Sequence, residues 1–366
     1  MEAANPFLGV VLHAIGGLAA ASFYIPYKKV RNWSWETYWL AGGFFSWIIV
    51  PWMLALLIVP ATPAILRQVP AGDLFLTWFF GVLWGAGGLM FGLTMRYLGI
   101  SLGYAVALGF CAAFGTLVPP IHSGEIREIV RAAPGQFVLL GIAVCLAGIA
   151  VSGMAGMSKE RELTDEQKKA SVREFSFVKG MVVAVICGIL SASMAFGMAA
   201  GKPIAKLAVD HGAPPLWQNL PVLVVVLAGG FATNFVWCVL LNLKNRSGRQ
   251  YLGAGEDGTR APMLLNYFFC ALGGATWYFQ FFFYSMGTTK MGPFDFSSWT
   301  LHMASIIIFS TLWGLALREW RGTSARTRRL IALGLAVLIA STLVVGYGNY
   351  LKVKKSGKTA SALRQE

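Results

Sequence analysis

Apolar runs near 20 residues long recur along the whole chain, at 7–26, 38–59, 74–95, 101–121, 136–153, 179–200, 216–241, 262–286, 294–317 and 330–348. An α-helix rises 1.5 Å per residue, so about 20 apolar residues cross the hydrocarbon core of a bilayer. Lipid offers the backbone no hydrogen-bond partner, and a helix satisfies its own. The expectation is therefore an all-α integral membrane protein with ten transmembrane helices. Charge supports this: 13% of the 366 residues are charged, against about 25% in an average soluble domain. That is too little to cover a water-facing surface of this size.

The largest early polar interruption, 154–178, carries Lys159, Glu160, Arg161, Glu162, Asp165, Glu166, Lys168, Lys169, Arg173 and Glu174. It divides the chain into a first five-helix half (1–153), a charged cytoplasmic linker (154–178), a second half (179–348) and a basic tail (349–366). An odd number of spans per half inserts the halves with opposite orientation, as two inverted repeats. Weak internal likeness fits this. Gly17-Leu18-Ala19-Ala20-Ala21-Ser22 resembles Gly188-Ile189-Leu190-Ser191-Ala192-Ser193, and Gly85 and Gly99 are spaced as are Gly273 and Gly287.

The net charge of +14 does not point to nucleic acid, because the basic residues lie in short segments between apolar runs. Nineteen Lys and Arg fall on the side of the 154–178 linker and 11 on the other, tail included. The positive-inside rule makes the first side cytoplasmic and both termini periplasmic. The cysteines, Cys111, Cys145, Cys187, Cys238 and Cys270, all lie in apolar runs without a CxxC pair, and read as inert buried thiols. The first run reads as a retained helix, since the chain starts with Glu2 instead of a basic leader and the run meets no obvious A-x-A cleavage site. Trp33, Trp35, Trp39, Trp52, Trp78 and Trp320 sit near run ends, where an aromatic belt belongs.

Ionisable groups inside a membrane are costly, and each is a functional candidate. His13 lies about 10 Å into the first run and His302 about 12 Å into the ninth. Those runs point the same way, so both depths are measured from one face, and the two histidines are placed to line one cavity. Histidine titrates near neutrality, which suits a proton-coupled carrier. Asp295, at the start of the ninth run, is a second proton site or an anion favoured by a helix N-terminus. Arg96 ends the third run as a snorkelling anchor or a ligand contact; Lys28 and Lys29 read as orientation determinants. In Trp277-Tyr278-Phe279-Gln280-Phe281-Phe282-Phe283-Tyr284 an amide sits among rings. An amide pairs with sugar hydroxyls and a ring covers a sugar's C–H face. Trp84, Tyr24, Trp299, Asn219, Asn234 and Asn266 extend this polar–aromatic set. Gly81, Gly85, Gly88 and Gly92 form one small face, for static packing or for sliding. Gly99-Ile100-Ser101-Leu102-Gly103 matches G-x-S-x-G, but a nucleophile elbow needs a preceding strand, and here helices flank it. No H-E-x-x-H and no P-loop occurs. The reading is a carrier, not an enzyme, with no metal and no cofactor.

Longer stretches carry a family resemblance. They are His13 with Ile15-Gly16, Phe23-Tyr24, Pro26, Lys28-Lys29-Val30, Trp33-Ser34-Trp35-Glu36-Thr37, Trp84-Gly85 and Gly92-Leu93-Thr94-Met95-Arg96-Tyr97-Leu98-Gly99. Further on they are Lys202-Pro203, Trp277-Tyr278, Gln280 to Tyr284, Gly287, Ser298-Trp299, Leu301-His302-Met303 and Glu319-Trp320. Over its whole length the chain resembles the bacterial L-rhamnose–proton symporters, within the drug/metabolite transporter superfamily. The resemblance implies ten helices in the bacterial inner membrane, uptake of a small neutral sugar with protons by alternating access, and no cofactor. On that reading Gln280, Trp277, Trp299, Tyr24, Trp84 and Arg96 hold the sugar, and His302, His13 and Asp295 carry the proton. The sequence departs from the family pattern at 288–296 except Asp295, around Gly87-Gly88-Leu89-Met90 and Leu108-Gly109-Phe110-Cys111, and in a longer, more basic tail. These departures leave room for another deoxyhexose. The alternative is a drug or metabolite exporter of the same fold.

Overall fold

The computed structural model describes residues 4–98, 100–162, 176–255, 258–318 and 320–362. Most of the charged linker, 163–175, lies outside them, as do Glu319, Gly99 of the G-x-S-x-G match and the chain end from residue 363. Every expected apolar run is helical. In chain order the helices are α1 Pro6–Ser22, α2 Tyr24–Tyr27, α3 Trp35–Gly43, α4 Val50–Ile58, α5 Thr62–Gln68, α6 Ala71–Leu98, α7 Ile100–His122 and α8 Ile126–Arg131. They continue as α9 Ala133–Arg161, α10 Phe177–Ala200, α11 Lys202–Asp210, α12 Leu220–Asn245, α13 Met263–Lys290, α14 Ser298–Ala316 and α15 Ala325–Ala362. Among the described residues there is no strand, only an isolated bridge between Ala254 and Arg260.

Eight of these segments are long and apolar enough to cross a membrane: Pro6–Tyr27, Trp35–Ile58, Ala71–Phe91, Ala133–Arg161, Val178–Asp210, Pro215–Asn245, Gly292–Ala316 and Ala325–Lys355. Helix α7 contributes a shorter apolar stretch, Val106–His122. Helix α13 is 28 residues long, but Asn266, Thr276 and Gln280 dilute its apolar character. Polarity is distributed as lipid demands. Leu57, Leu264 and Leu343 are 70, 82 and 66% exposed, whereas Thr77, Thr116, Asn266, His13 and His302 are fully buried. All five cysteines are free and buried, as expected.

Proline sets where helices begin. Pro6, Pro63, Pro134, Pro203 and Pro221 occupy the first turns of α1, α5, α9, α11 and α12. There the missing N–H costs nothing and the fixed φ is already helical. Pro51 acts differently. It lies inside a segment, where it has no N–H to give the carbonyl four residues back, Trp47. Between α3 and α4 the chain accordingly winds as a π-helix over Phe44–Ile49, with Val50 N–H donating to the Phe45 carbonyl.

The chain forms two compact units: residues 1–18, 87–195 and 283–366, and residues 19–86 and 196–282. Each draws on both sequence halves. In the first, α9 and α15 run in close contact through glycines. A Cβ on Gly141 would lie 2.5 Å from Val345 Cγ2, and one on Gly348 would lie 2.9 Å from the Pro134 carbonyl. At the end of α9, the Glu162 carboxylate accepts hydrogen bonds from Ser324 N–H (2.8 Å), Ser324 Oγ (2.6 Å) and Thr327 Oγ1 (2.6 Å). It thereby caps the start of α15, where an anion also meets the positive helix end. The Ser324 bonds first, then Thr327, hold the Glu162 carboxyl below its usual 4.5. A carboxyl with a lowered folded value stabilises the fold above 4.5, and that contribution disappears as pH falls through the folded value. Melting of the wild type is expected to drop in this acid window more than melting of Glu162→Gln. Equal acid sensitivity would show that the cap is not the titrating element.

In the second unit, α12 packs on α6 through glycine. A Cβ on Gly81 would lie 2.0 Å from the Val226 carbonyl, and one on Gly229 would lie 2.1 Å from that of Trp78. Contact this close is small-residue helix packing. Gly88, expected on the same face, has nothing within 4 Å of an added Cβ. Trp33, expected in an aromatic belt, is 5% exposed and packs edge-on to Tyr267 at 5.0 Å. It is a core residue, because the polar 28–37 segment folds back against the 246–267 segment. Asn266 fixes that return: Arg31 N–H donates to its Oδ1 (3.1 Å) and its Nδ2 donates to the Arg31 carbonyl (2.8 Å).

Candidate functional site

Two clusters, one in each unit, bring together most of the residues singled out in the sequence. The first is built around Tyr284 of α13. Gly287, one turn later on the same face, carries no side chain, and a Cβ there would lie 2.7 Å from Cε1 of His13. Glycine therefore lets the His13 imidazole of α1 lie directly on α13. The His13 ring is 5.4 Å from the Tyr284 ring, and the ring of His302 of α14 is 5.2 Å from it. Trp299, one turn before His302, stands edge-on to Tyr284 at 5.6 Å. Its Nε1 donates to the Cys111 carbonyl at 3.1 Å, and Gly115 leaves room for it. One residue further, Thr300 shares a 2.6 Å hydroxyl hydrogen bond with Thr116 of α7.

Both histidines are fully buried, and neither His13 nitrogen has a hydrogen-bond partner among the described residues. Leaving a buried polar group unpaired costs about 1–3 kcal/mol, so such a group calls for an explanation. Asp295 lies in the 3₁₀ turn Gly292–Ser297 before α14, half-buried and within electrostatic reach of Tyr284. His13 and His302, expected to line one cavity, both pack against Tyr284. Tyr284 was not singled out; its position in register with Gly287 is the signal that was there to read.

The second cluster is a run of rings. Tyr24 stacks on Trp39 (6.4 Å), Trp39 meets Trp47 (6.1 Å), Trp47 meets Trp277 (5.4 Å) and Trp277 meets Trp84 (5.6 Å). Three expected sugar-holding residues, Tyr24, Trp277 and Trp84, are joined through Trp39 and Trp47, which were not expected in that role. Gln280 is 6% exposed, and its Nε2 donates to the Trp277 carbonyl of its own helix at 3.0 Å. Trp299 belongs to the histidine cluster instead, and the Arg96 side chain lies outside the described residues. Asn234 accepts from Trp39 Nε1 at 3.1 Å and Asn266 clamps Arg31, so both amides support the fold. Lys28 and Lys29 are exposed, as orientation determinants would be.

One buried ionisable group escaped the sequence reading. Glu36, 4% exposed in the first turn of α3, accepts hydrogen bonds from Asn245 Nδ2 (3.0 Å) and Ser247 Oγ (2.8 Å). It ties α3 to the turn after α12. It appeared in the sequence only as part of the Trp33-Ser34-Trp35-Glu36-Thr37 stretch, just before an expected run, where nothing marks a carboxylate for burial.

Membrane-length helices carrying buried histidines, amides and hydroxyls define a multi-pass membrane protein. The family model described as L-rhamnose-proton symport protein (RhaT) matches residues 1–350. The chain belongs to that family, whose description is that of a transporter and not of an enzyme. It is 40% identical to the L-rhamnose-proton symporter of Cronobacter sakazakii over 93% of this chain and 97% of that relative. With the L-rhamnose-proton symporters of Shigella flexneri and Klebsiella pneumoniae it shares 39% and 38% identity, over the same shares of the chains.

Proposed function

We propose that this chain takes up L-rhamnose, or a related deoxyhexose, together with protons by alternating access. The observation that carries the chemistry is the buried His13–Tyr284–His302 cluster. Family membership and identity over nearly the full length support the substrate class. On this reading the ten apolar runs make ten crossings, as two inverted five-helix repeats of the drug/metabolite transporter superfamily, joined by the cytoplasmic linker and ended by the basic tail. The protein sits in the bacterial inner membrane with both termini periplasmic. His13 and His302 take the proton, with Asp295 as a further site. Tyr24, Trp84, Trp277, Gln280, Trp299 and Arg96 hold the neutral sugar. One half then moves against the other and delivers both to the cytoplasm.

The test is uptake of labelled L-rhamnose into vesicles containing this chain, with external pH recorded. The expected outcome is rhamnose-dependent alkalinisation outside, with unlabelled rhamnose the strongest competitor. Inserted, folded protein that moves no rhamnose would remove the substrate assignment.

A further inference from the structure

The π-helical stretch Phe44–Ile49 opens a narrow aromatic cavity inside the second unit. Phe23, Tyr27, Trp39, Gly43, Ser46, Trp47 and Trp277 line it. The space enclosed between these walls is about 10 Å³, room for about one water molecule. Three of the lining residues, Gly43, Ser46 and Trp47, lie on or beside the π turn. Such turns are rare and concentrate at functional sites, because the extra residue per turn re-aims side chains. Here the turn has a local cause, the missing N–H of Pro51. Glycines fix the walls. A Cβ on Gly42 would collide with the Tyr27 hydroxyl, one on Gly273 would lie 2.9 Å from the Tyr27 ring, and one on Gly274 would lie 2.4 Å from the Gly42 carbonyl.

Within this lining one fully buried side-chain donor is unsatisfied. Trp47 is 4% exposed, and its indole N–H has no hydrogen-bond partner among the described residues. A ring wall with a buried unspent donor matches one face of a pyranose: C–H bonds against the aromatic faces, and a hydroxyl oxygen accepting from the indole. We propose that this cavity is the subsite that grips the sugar ring, with Trp47 N–H donating to a sugar hydroxyl and Trp39 and Trp277 covering the C–H face. The proposal rests on the sugar-transport reading above. It adds the π turn and Trp47, neither of which that reading uses. A sugar ring is larger than the enclosed space, so the proposal requires the walls to part as the sugar enters.

The experiment measures L-rhamnose binding calorimetrically on the full chain in lipid nanodiscs. Trp47→Phe keeps a ring and removes the donor. The expected result is a Kd about five- to tenfold higher, the value of one hydrogen bond, with the melting temperature unchanged. Pro51→Ala restores the N–H, lets the π turn relax to α-helix and is expected to weaken binding without destabilising the protein. Wild-type binding with both variants equal to it would overturn the subsite. A wild type that binds no rhamnose would overturn the transport reading instead, so the two failures are distinct. Should Trp47→Phe not fold, Pro51→Ala decides alone.

Discussion

Vesicles carrying His302→Ala are expected to equilibrate L-rhamnose but not to concentrate it. A neutral sugar moved with one proton draws about 2.3 kcal/mol from a 100 mV potential, which is about a 50-fold gradient. Without a proton carrier the driven gradient falls to unity, while the sugar's own path remains. His13→Ala is expected to do the same, because the two imidazoles pack against one phenol at 5.4 and 5.2 Å. A charge on a buried imidazole is costly in a membrane interior, and such a group is a functional candidate for that reason. Two further variants separate chemistry from packing. Tyr284→Phe retains the ring and removes the hydroxyl, so slowed coupling would mark the phenol as part of the proton path. Gly287→Ala would put a methyl 2.7 Å from the His13 ring, shift the imidazole, and reproduce the His13→Ala loss without removing a titratable group. Full voltage-driven accumulation by His302→Ala would end the assignment.

What the sequence disclosed followed periodicity and depth. The ten apolar runs are helical, because length and hydropathy decide that outcome; most ends lie within a few residues of expectation, but α9 continues to Arg161 and α15 to Ala362, past the expected 153 and 348. His13 and His302 were findable because polar residues deep in apolar runs are rare. What remained hidden depended on side-chain direction. Trp33 and Trp39 were read as lipid anchors from their place near run ends, but Trp33 is buried and Trp39 joins the ring chain, which only the fold-back of the 28–37 segment determines. Tyr284 carries no mark in an aromatic-rich stretch; it gains meaning from Gly287 one turn away and from two other helices. Trp47 is likewise ordinary by composition. Its signal was Pro51 four residues on, inside an apolar run, which predicts a backbone irregularity without saying which side chain it turns. Glu36 lay near an expected boundary, where a carboxylate looks solvated, and its burial depends on the turn after α12 folding over it.

Gly81→Val is expected to be the most destabilising single change in the second unit. The built Cβ lies 2.0 Å from the Val226 carbonyl oxygen and 3.2 Å from the Gly229 Cα, so it meets backbone on α12, not a side chain that can rotate away. Relief requires separating α6 from α12. That also breaks the reciprocal contact of Gly229 with Trp78 and Val82 and the one between Gly85 and Gly230. Helix association in lipid rests on such close packing, with no hydrophobic force to replace it. The expected cost is about 4 kcal/mol or more, in the exceptional range for a single substitution, read as a melting temperature lower by about 10 °C. Gly88→Ala is the contrast. It lies seven residues on in the same glycine series, yet nothing stands within 4 Å of its added Cβ. Removing a glycine from a helix interior there is expected to be neutral or to stabilise by about 0.5–1 kcal/mol. The pair also decides between the two roles the glycine face allowed in sequence. Static packing predicts loss of folded protein for Gly81→Val. A Gly81→Val protein that melts like wild type but no longer transports would mean that α6 and α12 move past each other during the cycle, and that the glycines form a sliding surface.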